Sequence, residues 1–156
     1  MPWKRLAVVL PSLLAWACNS DHLLSLQEYQ QLALAEERWD SRGFGPYQFE
    51  VRRLCFCGPE ITAWAEVQVV NNAVVGVHLV DTGTDIDPSQ YNLWPTIDQL
   101  FRDIHHIGSG DGSVDLILKF DQQLGFPRVI AVQQVPPVPD AGLRTEVRNV
   151  GPLAIP

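Results

Sequence analysis

The sequence predicts an α+β fold: an antiparallel sheet with two helices, in the order helix, three strands, helix, three strands. Three observations lead there. Two stretches of helical periodicity each start at a capping-box spacing, Ser25 with Glu28 and Thr96 with Gln99. Three strand-like runs follow each stretch. Adjacent strands joined by short connections pair antiparallel and leave the helices to cover one face.

The chain opens with Lys4 and Arg5, an apolar run from Leu6 to Leu14, and Ala15-Trp16-Ala17 before Cys18. A positive start, a short apolar stretch and small residues at a cleavage point are the pattern of a removed export signal, too short to span a bilayer. A cysteine at the first mature position gives this signal the look of a bacterial lipoprotein signal, with Cys18 as the lipidation site. An ordinary secretion signal is the alternative. The expected divisions are a signal peptide over 1–17, a lipidated tether over 18–24, one α+β domain over 25–150 and a C-terminal tail over 151–156.

Within the domain, Leu26 to Trp39 is the first expected helix, with Tyr29, Leu32, Ala33 and Trp39 toward the core. Arg42-Gly43-Phe44-Gly45-Pro46 stops it. Tyr47 to Cys57 alternates, with Tyr47, Phe49 and Val51 on one side and Gln48, Glu50 and Arg52 on the other, as a half-buried strand does. Strands over Ile61–Val70 and Val74–Val80 follow, separated by Asn71-Asn72, residues that tolerate positive φ. A three-residue loop would pair Val69 with Val75, Val67 with Val77 and Ala65 with Leu79, and set Glu66 opposite His78 on the outer face. Asp81 to Tyr91 reads as a polar loop. The second helix, Ile97 to Ile107, places Ile97, Leu100, Phe101, Ile104 and Ile107 at helical spacing. Val114–Phe120, Arg128–Gln134 and Arg144–Val150 complete the strands, the last two joined by a proline-rich loop.

The chain has 156 residues, of which 46% are hydrophobic and 19% charged, a globular composition. Its net charge is −7, and loss of residues 1–17 with Lys4 and Arg5 leaves 9 bases against 18 acids, a mature charge of −9. Such a chain repels phosphate backbones, which argues against nucleic acid as a partner. The expected partners are the membrane, through the N-terminal lipid, and a candidate partner protein.

Trp39, Tyr47 with Phe49, Cys55-Phe56-Cys57 with Pro59, and Phe120-Asp121 leading to Gly125-Phe126-Pro127 form a distinctive series. On these residues the chain resembles the bacterial domain-of-unknown-function family 6174, small exported proteins and lipoproteins. The similarity runs from about Glu36 to Val150. It implies fold and compartment and no activity. Members carry more acids after the Gly-aromatic-Pro turn, where this chain has Gln133, Gln134 and prolines.

Cys55 and Cys57 are the sharpest chemical feature. On one strand their sulfurs would share a face. In an oxidising compartment, with Cys18 acylated, they are the two thiols left to pair. A structural disulfide, free core thiols, and a redox or metal site remain three readings. A metal would need further ligands from His78, His105 or His106, and adjacent helical histidines diverge by about 100°. Asp81, Asp85 and Asp87, and likewise Asp111 and Asp115, fit solvated turns better than a calcium ladder. No cofactor is expected. Trp64 on the outer face and Trp94 in a loop, with Glu66 and His78, are the candidate binding surface. The expectation is an exported, lipid-anchored protein of the bacterial cell envelope that binds or supports and does not catalyse. The rivals are a thiol-redox or metal-dependent protein using Cys55 and Cys57, and an inhibitor-like protein-binding module.

Overall fold

The computed structural model describes residues 24–110 and 113–153. The expected signal, Cys18, His22 and Asp111 lie outside the described residues. The fold is α+β, with a seven-stranded antiparallel sheet and three helices among the described residues. The elements are α1 (Leu26–Asp40), β1 (Tyr47–Leu54), α2 (Pro59–Thr62), β2 (Ala65–Val70), β3 (Ala73–Leu79), β4 (Thr84–Asp85), α3 (Ile97–Gly108), β5 (Val114–Phe120), β6 (Pro127–Gln134) and β7 (Leu143–Pro152). A 3-10 turn, Pro88–Leu93, precedes α3.

Strand order is β4-β3-β2-β1-β7-β6-β5. Each half is a meander, β1 to β4 and β5 to β7, and the two join where the last strand returns beside the first. α1 and α3 pack on one face against Tyr47, Phe49, Val51, Ala65, Val67, Val69, Val77, Leu79, Ile130 and Val147, all buried. From α3, Ile97 and Ile104 are fully enclosed, each burial stabilising by about 1.5–3 kcal/mol.

The two helix starts differ. Both arms of the capping box at Ser25 form, with the Glu28 amide 3.3 Å from Ser25 Oγ and the Ser25 amide 2.8 Å from Glu28 Oε2. At Thr96 one arm forms: Oγ1 accepts from the Gln99 amide at 3.2 Å. The hydroxyl itself donates to Asn72 Oδ1 at 2.9 Å, which ties the start of α3 to the β2–β3 turn.

Five expectations need correction, the first in α1, where Ala35 is buried and Ala33 is exposed. The β2–β3 loop has two residues, Asn71 and Asn72, with φ of 51° and 58°. A bulge between Gln68 and Val69 then restores the register, so Val69 faces Val74 while Val67–Val77, Ala65–Leu79 and Glu66–His78 pair as expected. Ile61 and Thr62 lie in α2, because Pro59 starts a helical turn and cannot donate to a ladder. The loop after β3 contains a seventh strand, β4, which pairs His78 with Asp85. Finally, β7 runs through Pro152 and the Leu153 amide donates to Pro46 O at 3.0 Å, so Gly151 to Leu153 belong to the domain and not to a tail.

Trp39 joins the layers. Its ring meets Tyr47 edge-on at 5.0 Å, carries the Arg42 guanidinium at 3.9 Å, and its Nε1 donates to Asp98 Oδ1 at 2.7 Å. Tyr47 Oη in turn accepts the Ile97 amide at 3.1 Å, one of the donors that the first turn of α3 leaves open. The Phe120-to-Pro127 motif has an equally local reason. Asp121 Oδ1 accepts the Gln123 and Leu124 amides, each at 2.9 Å, and Gly125 adopts φ 81° where the turn meets α1. A Cβ on Gly125 would collide with the Ala35 carbonyl oxygen and lie 2.9 Å from Arg38 Cβ.

Candidate functional site

The face of the sheet away from α1 and α3 is open. Alternation puts Glu50 and Arg52 of β1, Glu66 and Gln68 of β2, His78 of β3, and Arg144, Glu146 and Arg148 of β7 on it. The β1–β7 register sets Glu50 opposite Arg148 and Arg52 opposite Glu146. Arg148 Nε meets Glu50 Oε2 at 2.6 Å, and Glu146 takes Arg52 at 2.7 Å and Arg144 at 2.6 Å through different oxygens. Hydrogen bonds from Arg144 and Arg52 hold the Glu146 carboxyl below the usual carboxylate range. Such partly exposed pairs add little stability; they fix where the guanidinium groups stand.

Trp64 belongs to this network. Arg148 lies 3.9 Å and Arg52 4.6 Å from its ring centroid. The indole is half-buried under these cations, so it supports the ladder more than it offers a bare aromatic contact. Glu66 stays on the open face with Gln68 Nε2 3.5 Å away. His78 faces Glu66 by register, yet its Nδ1 bonds Asp85 of β4 at 2.8 Å, at the sheet edge. Trp94 is corrected outright. It is 4% exposed, folded into the core where the 3-10 turn leads into α3, and takes no part in a surface. A tryptophan in a loop is here a core residue because the turn carries it back over the sheet.

A cleft of about 910 Å³ adjoins this face. Its position follows from the strand pairing. The β6–β7 ladder ends at Val129 and Glu146, whereas β7 continues with β1 to Pro152, so the sheet parts there. Trp64, Lys119, Arg128, Glu146 and Arg148 line the cleft, with Leu34 and Arg38 of α1 and Phe120 of β5. Four cations thus meet one carboxylate, and that carboxylate already bridges two arginines. Among the described residues Arg38, Lys119 and Arg128 make no ion pair. Arg38 Nε is shut off from solvent and has no hydrogen-bond partner among them. Sequence reasoning missed all three, since they come from α1, β5 and β6 and share no motif.

Cys55 and Cys57 form a disulfide with Cα atoms 5.2 Å apart. The reason differs from the expected one. β1 ends at Leu54, and the pair closes the bend that follows, with Phe56 exposed at its tip. Of the candidate histidines, His78 sits at the β3–β4 edge, His105 Nε2 bonds Glu36 of α1 at 2.7 Å, and His106 lines a small pocket with Arg53. Arg53 is a further unusual cation. Burial lowers its pKa, opposed by the Asp103 charge, and it lies under α3 beside Leu100, Ile107 and Leu143.

No curated protein and no solved structure matches the chain. A family model matches residues 31–152, from within α1 to the end of β7, and so takes in both meanders, α3 and the later part of α1. The chain belongs to a family of unknown function, DUF6174.

Proposed function

We propose that this chain is a non-catalytic binding protein of the bacterial cell envelope, exported and held to the membrane through lipid on Cys18, and that the cleft takes a small multivalent oxyanion. One observation carries the ligand class: Arg38, Lys119 and Arg128 gather around one cleft without carboxylate partners, in a chain with 18 acids and 11 bases. Like charges held together repel, and an anion between them offsets that repulsion while offering each guanidinium or ammonium a charge-assisted hydrogen bond. Compartment and anchor rest on the signal-like residues before Cys18. His78 and His105 each bond a carboxylate, Asp85 and Glu36, away from the Cys55–Cys57 bend, which favours binding over thiol or metal chemistry.

Calorimetric titration with inorganic pyrophosphate and with citrate at low ionic strength tests the ligand class. Binding that weakens with added salt is expected, with a loss of about tenfold for Arg38→Gln and for Lys119→Gln, the equivalent of one charge-assisted hydrogen bond each. Absence of binding to both probes, or variants that bind as tightly as the parent, overturns the oxyanion reading. A protein partner on the open sheet face, as in an inhibitor-like module, would leave these titrations silent.

A further inference from the structure

We propose that the end of the sheet bearing Phe56 and the β6–β7 loop rests against the bilayer, its apolar side chains entering the lipid interface beside the anchor. The inference rests on the reading of Cys18 as the lipidated residue. Phe56 is 95% exposed, at the tip of a bend that the Cys55–Cys57 disulfide closes, so it cannot fold back onto the sheet. Leu54, Val138 and Leu143 are also exposed and line one groove with Pro137 and Pro139. Strand pairing makes them neighbours, because Leu54 ends β1 opposite Arg144 and Leu143 begins β7. An exposed apolar cluster of this kind marks a contact surface.

The first described residue identifies the contact. Leu24 is buried against Gly108, where a Cβ would come within 2.6 Å of Leu24 Cδ1, so the chain enters the domain at the C-terminal end of α3. That helix end is also the Phe56 end. Ile107 lines a small apolar pocket with Arg53, Val132 and Leu143, whereas the α3 start bonds Tyr47 at the far end of β1. Five residues separate Cys18 from Leu24, six steps of chain. Fully extended they reach about 20 Å, so an acylated Cys18 keeps this end of the domain near the headgroups. Leu26, 77% exposed in the first turn of α1, adds to the same end. Asp140 and Arg144 both line this groove, so no excess of cations there selects anionic lipid.

The test uses the full-length protein, processed in cells and reconstituted into phosphatidylcholine vesicles that carry a carbene-generating photolabel in the acyl chains. Intact mass first establishes whether Cys18 carries acyl groups. Peptides covering 54–59 and 135–143 are expected to take label about tenfold more than the β2–β3 hairpin, in line with the partition of one buried Phe side chain. Phe56→Ser with Val138→Ser should remove that excess and leave the urea midpoint unchanged. An acylated protein whose 54–59 and 135–143 peptides label no more than the hairpin overturns this proposal and leaves the anchor standing. A mature chain without acyl mass overturns the anchor, and the orientation falls with it.

Discussion

Replacing Gly125, Gly83 and Gly45 one at a time by alanine separates two costs that the Phe120-to-Pro127 motif combines. Gly45 has an ordinary φ and nothing within 4 Å of a built Cβ. Gly83 has φ 68° and equally open surroundings. Gly125 has φ 81° and a Cβ position inside the Ala35 carbonyl oxygen and 2.9 Å from Arg38 Cβ. Alanine at Gly45 should therefore change stability by about 0.5 kcal/mol or less. At Gly83 it should cost about 1–2 kcal/mol, the penalty of the left-handed conformation for an L-residue. At Gly125 the same penalty applies, and the backbone of α1 must also move away from the turn. Overpacking of this kind costs a further ~1–3 kcal/mol, for about 2–5 kcal/mol in all. Urea unfolding followed by tryptophan fluorescence measures this, since Trp39 and Trp94 are both buried. If Gly125→Ala and Gly83→Ala cost the same, α1 yields freely and the close approach to Ala35 has no energetic consequence. If Gly125→Ala costs under ~1 kcal/mol, the turn conformation itself is not required.

Burial pushes the Tyr47 phenol up to about 12, from an ordinary 10.0, and the native state thereby favours the neutral ring. Its stability contribution is complete below pH 10 and is lost as pH rises from 10 toward 12; Tyr47→Phe should lower stability at neutral pH by about 1 kcal/mol, through the lost acceptor for Ile97, and flatten the alkaline decline in urea midpoint. An alkaline decline of equal slope in the variant would place the titrating group elsewhere. Cys55 and Cys57 close so small a loop that replacing both by serine should cost roughly 1.5 kcal/mol, below the usual range for a disulfide, and leave the fold intact. Alkylation of both residues in the untreated protein, without prior reduction, would refute the bond.

The parts of the fold legible in the sequence are those governed by local rules. The capping box at Ser25 works through residues three apart, and the α3 stripe of Ile97, Leu100, Phe101 and Ile104 is a matter of helical period. The β2–β3 register was legible for the same reason, because only one alignment puts Val67, Ala65, Val77 and Leu79 on a common face. The turn was not. Loop length and bulge compensate for one another: a two-residue turn with a bulge and a three-residue loop without one deliver the same pairing further along the hairpin. β4 escaped notice because two residues, Thr84 and Asp85, carry no period, and their pairing is a decision of β3 and not of their own sequence.

The site was hidden for a deeper reason. Trp64, Glu66 and His78 could be assigned to the outer face from strand parity, and parity is a short-range property. The cleft depends on where one ladder stops while another continues, and β6 parts from β7 because β7 prefers to follow β1 as far as Pro152. No window of sequence contains that choice. The same long-range geometry gathers Arg38, Lys119 and Arg128, each of which looks alone like one more solvated cation on an acidic chain. What distinguishes them is their place around one cleft, and that emerges only once β5, β6 and α1 converge. Arg42, Arg53 and Arg102 likewise make no ion pair among the described residues, so what sets Arg38, Lys119 and Arg128 apart is the one cleft they share. On the oxyanion reading proposed above, their mutual repulsion costs little while the cleft is solvated and would be offset by an anion held between them.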